Sequence, residues 1–151
     1  KTLLSKIKNN KIGSYLTLEI LESEKVSNFE LVNKFINETQ QYGVKIAIDD
    51  FGTGFSNYEN ILNLNIDYIK IDGSLIRKIN EDIYLNLIKS IVLFSKQQNI
   101  KVVAEFVSDL KILRYVKNIE IDYSQGYYIG KPTHIQELFG EEDETTTKKD
   151  N

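Results

Sequence analysis

Five times along this chain a short apolar run gives way to a polar residue and then to a longer amphipathic stretch. That alternation limits the folds open to it. The runs YLTLEI at Tyr15–Ile20, VKIAI at Val44–Ile48, YIKI at Tyr68–Ile71 and KVVA at Lys101–Ala104 are short and mostly β-branched or aromatic, so they read as strands. A weaker fifth candidate surrounds Ile121–Tyr123. Between them lie helical patterns with readable ends. Ser27 with Glu30 forms a capping box ahead of Phe29, Val32, Phe35 and Ile36, and Gly43 stops that run. Asn80 can cap a helix striped by Leu87, Ile88, Ile91 and Val92; Ser108 can cap another carrying Leu110, Leu113 and Val116; Thr133 with Gln136 suggests a short last helix. Strands alternating with helices of this length imply parallel pairing, which leaves an open doubly wound α/β sheet or part of a (β/α)8 barrel.

Composition removes several functional classes. A net charge of −3 over 151 residues provides no broad basic surface, so no nucleic-acid polymer is expected as a partner. The absence of cysteine excludes disulfides, thiolate metal sites and a cysteine nucleophile, and the single histidine, His134, excludes a multi-histidine metal site. No apolar stretch approaches the roughly 18 residues that a membrane helix needs, so no membrane contact is expected from this segment. Residues 1–139 read as one domain, and 140–151 (GEEDETTTKKDN) as a solvated polar tail. The chain opens on Lys1 rather than methionine and is read as a piece of something longer.

Each strand ends on a chemically capable residue: Glu19, then Asp49 and Asp50, then Lys70 and Asp72, then Glu105, with Gln125 after the fifth. In parallel α/β folds the carboxyl ends of the strands share one edge, where ligands bind. The plainer explanation for any single acid is a helix cap or a solvated loop. As a set, acids and an amide without cysteine or histidine make a hard oxygen donor group suited to Mg²⁺ or Mn²⁺. Asp49 and Asp50 could bridge two ions if the strand breaks its alternation there, and an ion pair about 3.5–4 Å apart suits phosphodiester hydrolysis. Lys70 could orient the attacking water, or could simply pair with the acids around it.

The stretch DDFGTGF at Asp49–Phe55 places two glycines directly after the acid pair, as a sharply turning loop requires. Lacking a P-loop's lysine and spacing, it reads as a hinge beside the acids rather than a phosphate cradle. Glu22 could anchor it by accepting backbone N–H groups, or could be solvated. His134 and the tyrosines read as packing or surface residues, with Tyr127 and Tyr128 as candidates for stacking on a base.

These blocks resemble a known family. LEILE at Leu18–Glu22, DDFGTGF at Asp49–Phe55, YIKID at Tyr68–Asp72, VVAE at Val102–Glu105 and QGYYIGKP at Gln125–Pro132 are similar, in order and spacing, to the signature blocks of EAL domains. Those domains are bacterial phosphodiesterases that open cyclic di-GMP to linear pGpG with two divalent metals on a modified (β/α)8 barrel. The resemblance implies that Glu19 binds the first metal and Asp49 bridges both, while Asp50 and Glu105 serve the second, directly or through water. It implies that Lys70 contacts the nucleophilic water and that Gln125, Glu22 and Pro132 support the site or the substrate. Glu22 would hold the loop of Phe51, Gly52, Thr53 and Gly54, which in this family also couples dimerisation to activity. It implies a bacterial, cytoplasmic setting, in some relatives within a larger membrane-anchored protein.

The departures carry expectations too. The EAL segment itself, with its glutamate and substrate-holding arginine, and an asparagine ligand on an earlier strand have no counterpart here, so the match covers about the last five of eight strands. Phe106 stands where the family has glycine, Ser108 where it usually has glutamate, and Lys131 where it has arginine. Phe106 is expected to crowd the second metal or the nucleotide. Five strands cannot close the barrel, and with 21 isoleucines the inward face is expected to show Ile and Val to water and favour a homo-oligomer covering the open edge. Three readings follow: a phosphodiesterase whose fragment is inactive alone, a degenerate domain that binds cyclic di-GMP or a protein without hydrolysing, and a metal-binding α/β domain unrelated to cyclic di-GMP.

Overall fold

The computed structural model describes residues 3–22, 29–52 and 58–134. Its elements run α1 (Leu3–Asn10), β1 (Thr17–Leu21), α2 (Phe29–Gln40), β2 (Lys45–Phe51), α3 (Tyr58–Leu62), β3 (Tyr68–Ile71), α4 (Gly73–Ile76), α5 (Asp82–Gln97), β4 (Lys101–Ala104), α6 (Leu110–Asn118) and β5 (Tyr123–Ser124). The five strands form one parallel sheet in the order β1-β2-β3-β4-β5. Each strand thus lies beside its sequence neighbour, the order of consecutive barrel strands rather than of a doubly wound sheet, which reverses direction from its first strand.

Period-two alternation sorts the sheet residues. Ile46, Ile48, Ile69, Ile71, Val102 and Ala104 are buried, packed with Ile36 of α2, Ile88, Ile91 and Val92 of α5 and Ile112 and Val116 of α6. Each such side chain contributes roughly 1.5–3 kcal/mol of burial free energy. The opposite face carries Thr17, Glu19, Ala47, Tyr68, Lys70, Val103, Tyr123 and Gln125 around an open cavity of about 330 Å³. The expectation that inward-facing isoleucines would meet water is therefore corrected. The sheet's isoleucines face the helices, and the open face is polar, aromatic or small, with Val103 as its one branched aliphatic among these residues. The large exposed isoleucines among the described residues are Ile12, Ile83 and Ile129, all outside the sheet.

At the amino ends of the strands one device recurs. Asp67, just before β3, accepts hydrogen bonds from Lys45 Nζ (2.6 Å) and the Ile46 amide (2.9 Å) of β2, while its own amide donates to the Ile46 carbonyl and its carbonyl accepts from the Lys101 amide. Asp122, just before β5, repeats the side-chain pattern on β4, with Lys101 Nζ at 2.7 Å and the Val102 amide at 2.9 Å. Charged acceptors on backbone N–H groups fix the parallel register where the strands begin.

The strand bounds of β3 and β4 agree with the sequence reading. Tyr15 sits in a 3₁₀ turn, Gly13–Tyr15, so β1 begins later than expected, and β2 runs on through Asp49 and Asp50 to Phe51. Glu81 rather than Asn80 precedes α5. Asp109 rather than Ser108 caps α6: its carboxylate accepts the Ile112 amide at 2.9 Å, and the Ser108 hydroxyl turns to that carboxylate. A carboxylate accepts more strongly than a hydroxyl, so the cap moves one residue on. The Ser27–Glu30 cap, the Thr133–Gln136 helix and the tail lie wholly or partly outside the described residues.

Candidate metal and phosphodiester site

The acids meet because β2 breaks its alternation. The pairing of β2 with β3 shifts register between Ile48 and Phe51, and Asp50 takes φ +56°, in the left-handed region that aspartate tolerates better than most residues. The irregularity sets the carboxylates of two consecutive residues on one side and returns Phe51 to the core, fully buried and edge-on to Tyr58 at 5.7 Å. Glu105, one residue past β4, continues the alternation of Val103 toward the same side. One carboxylate oxygen from each of Asp49, Asp50 and Glu105 lies within 4.8 Å of the others, an arrangement that could hold a metal ion.

Lys70 stands at the centre. Its ammonium lies 2.7 Å from Asp49 Oδ1, 2.9 Å from Glu19 Oε1 and 3.0 Å from Glu105 Oε1. Burial alone would lower its pKa, but the hydrogen bonds to Asp49, Glu19 and Glu105 outweigh that and hold it well above the usual lysine value. With these three partners it carries its positive charge among the acids. The structure displays the ion pairing, which leaves an orienting role toward water compatible with it. Glu105 is 6% exposed, and its burial raises its carboxyl pKa; Lys70 opposes the shift, while Asp49 and Asp50 add to it. Gln125 Nε2 donates to the same Glu105 Oε1 at 2.8 Å. Glu19 joins through Lys70 and stands outside the three-acid cluster.

The loop after β2 is held from β1. Glu22 Oε2 accepts the Gly52 amide at 2.8 Å, and the Glu22 amide donates to the Asp49 carbonyl. Gly52 has φ +98°, which accounts for glycine there. Thr53 and Gly54 lie outside the described residues. On the far side, the turn after Gln125 is tied to Val107: the Val107 amide donates to the Gln125 carbonyl, and the Tyr128 amide to the Val107 carbonyl. A Cβ on Gly126 (φ +151°) would stand 2.4 Å from Val107 backbone atoms.

One expectation is corrected. Asp72 caps α4, accepting the Ser74 amide at 2.8 Å, and is not part of the acid cluster. The Phe106 ring rests on Gly73, where an added Cβ would meet it at 2.3 Å, with the Arg77 guanidinium 5.0 Å from the ring centroid. Pro132 and His134 are exposed, as are Tyr127 and Tyr128, and Lys131 Nζ stands 5.9 Å from the Tyr127 ring centroid. The sequence reading missed Tyr68 and Tyr123, whose rings meet edge-on at 6.0 Å inside the cavity. Extending the two-residue alternation back from Lys70 and Gln125 would have found them.

A rim of carboxylates, one lysine and one amide at the carboxyl ends of parallel barrel-type strands is an arrangement that could hold a metal ion, and comparison with known proteins gives it a family. The EAL domain model matches residues 1–132, so the chain belongs to the EAL domain family. It is 44% identical over 121 residues to the cyclic di-GMP phosphodiesterase PdeA of Borreliella burgdorferi, covering 80% of this chain and 18% of that protein. It superposes on the EAL domain of Mycobacterium smegmatis DcpA with a TM-score of 0.83 at 25% identity, over 90% of this chain and 62% of that one. It also superposes on the PaMucR phosphodiesterase in complex with c-di-GMP, with a TM-score of 0.80 at 27% identity, over 90% of this chain and 57% of that one. The chain thus spans under a fifth of the PdeA protein. No described helix is long and apolar enough to cross a membrane.

Proposed function

We propose that this chain carries the metal-binding half of a cyclic di-GMP phosphodiesterase site that yields linear pGpG. The observation that carries the proposal is the convergence of the Asp49, Asp50 and Glu105 carboxylates beside Lys70 at the strand ends of an EAL-family sheet. Asp49, Asp50 and Glu105, with Glu19, would hold two Mg²⁺ or Mn²⁺ ions, hard cations suited to an all-oxygen donor set. Divalent ions there supply Lewis acidity to a phosphoryl oxygen and a hydroxide at neutral pH. Lys70 would set a positive charge beside the phosphate and the attacking water. Gln125 fixes the Glu105 carboxylate by its hydrogen bond, and Glu22 fixes Gly52 and so the turn that follows Asp50. Pro132 is assigned to the substrate side of the rim, and Thr53 and Gly54 to the loop that Glu22 anchors.

The 151 residues alone are proposed to show only little, slow turnover, because the family's further glutamate, asparagine and arginine have no counterpart in them. The described residues leave β1 and β5 each paired on one side, and a homo-oligomer covering those edges is proposed; a stable monomer in sedimentation would refute it. The setting proposed is the bacterial cytoplasm.

Calorimetry with cyclic di-GMP, followed by incubation with Mn²⁺ and chromatography, tests the whole. Nucleotide binding with slow pGpG formation that Asp49→Asn abolishes supports the proposal. Binding in EDTA with no hydrolysis on adding metal would favour the non-hydrolysing receptor instead, and absence of binding would end both.

A further inference from the structure

Phe106 is the feature that the phosphodiesterase site leaves unexplained. It follows the buried Glu105 directly, takes φ +53°, where a bulky side chain is strained, and is 56% exposed. Its ring is nonetheless supported. Gly73 and Arg77 lie one helical turn apart, the ring rests against Gly73, and the Arg77 guanidinium covers it at 5.0 Å in a cation–π contact. Against burial, which raises it, the Asp72 carboxyl pKa is lowered by the Ser74 hydroxyl, by the Ser74 and Gly73 amides, and then by the positive charge of Arg77. A strained backbone, a glycine vacated beneath the ring and a cation holding it are three separate accommodations for a large aromatic group that gains little burial.

We infer that Phe106, exposed, one residue past the buried Glu105 and positioned by Arg77 on Gly73, is a stacking platform for one guanine base of the cyclic dinucleotide. The inference rests on the proposed function above. An aromatic face binds a nucleobase through its π surface, with about 1–3 kcal/mol lost per base on alanine substitution. The platform acts on the base and not on the phosphodiester, so it would serve a hydrolysing enzyme or a receptor alike.

Calorimetry with cyclic di-GMP on the 151-residue chain and its variants tests it, with thermal melting alongside. Phe106→Ala and Phe106→Leu are expected to weaken binding about tenfold or more, as the loss of one stacked base implies. Phe106→Tyr and Phe106→Trp are expected to stay within about threefold of the unaltered chain, because an aromatic face remains. Phe106→Gly relieves the backbone strain, so its affinity should fall while its melting temperature holds or rises. The platform is overturned if the alanine and leucine variants bind as tightly as the unaltered chain, if tyrosine and tryptophan fail to rescue, or if affinity falls only in step with melting temperature. No binding by the unaltered chain would overturn the proposed function as well, which separates the two failures.

Discussion

Replacing Lys70 with methionine tests the electrostatic design of the site. The substitution keeps most of the aliphatic stem and removes a cation that three carboxylates share at 2.7–3.0 Å. The side chains of Glu105 and Asp49 are 7% and 19% exposed, so these partners lose a largely desolvated counterion, whereas Glu19 at 48% is well screened. Breaking a buried pair costs about 3–5 kcal/mol, and with one partner screened about 3 kcal/mol is expected in EDTA, or roughly 6–12 °C in melting temperature. The same carboxylates are then released from the ammonium, so Mn²⁺ should stabilise the variant more than the parent. At about a hundred times its Kd the metal returns about 2.7 kcal/mol. Acidification should also help. Glu105 has a raised folded pKa, so protonation on folding favours the native state below that value and is lost as pH rises through it. Removing Lys70 raises it further, so part of the deficit at pH 7 should disappear at pH 5. Differential scanning fluorimetry across pH and Mn²⁺ concentration is the assay. A variant that melts no lower than the parent in EDTA, or that gains no more from Mn²⁺, would refute the reasoning.

The remaining expectations concern the supports. Glu22→Gln weakens a 2.8 Å charged hydrogen bond to the Gly52 amide and should cost about 1 kcal/mol, read as faster hydrogen exchange at Gly52. Gly126→Ala places a Cβ 2.4 Å from Val107 backbone atoms and should cost about 2–3 kcal/mol, with pGpG formation falling as Gln125 leaves Glu105; an unchanged melting temperature would contradict the close approach. Burial raises the Asp67 pKa, but hydrogen bonds from Lys45, the Ile46 amide and Gln40 outweigh it and leave the carboxyl below its ordinary value. Its contribution is therefore present above the unfolded pKa near 4 and is lost as pH falls through the folded one. Asp67→Asn should lower the melting temperature at pH 7 and flatten its fall in the acid range.

Particular residues show why some of this was legible in sequence. YIKI and KVVA are bounded by turns and carry the two-residue alternation intact, so β3 and β4 could be delimited from pattern alone. The adjacent acids raised the question of broken alternation, and the irregularity at Asp49–Asp50 supplies that break. Pattern failed where a local contact decides. Helix α1 buries only Ile7 among its residues, and α4 is a single turn whose cap, Asp72, looks in sequence like one more rim acid. The isoleucines were expected to meet water on the open face; their direction depends on register against the neighbouring strands, which composition does not carry. The resting place of the Phe106 ring was not legible in pattern, because the space it occupies is made by Gly73, distant in sequence.

The paired aspartates at the strand starts bear on how such a chain can diverge. Asp67 and Asp122 fasten β2 to β3 and β4 to β5 at the rim opposite the acid cluster, through carboxylates, lysines and main-chain amides that no substrate would touch. Alignment of the scaffold is thus secured at one end, independently of what the other end binds. Relatives that exchange the acids of the other rim for different groups would keep the same architecture.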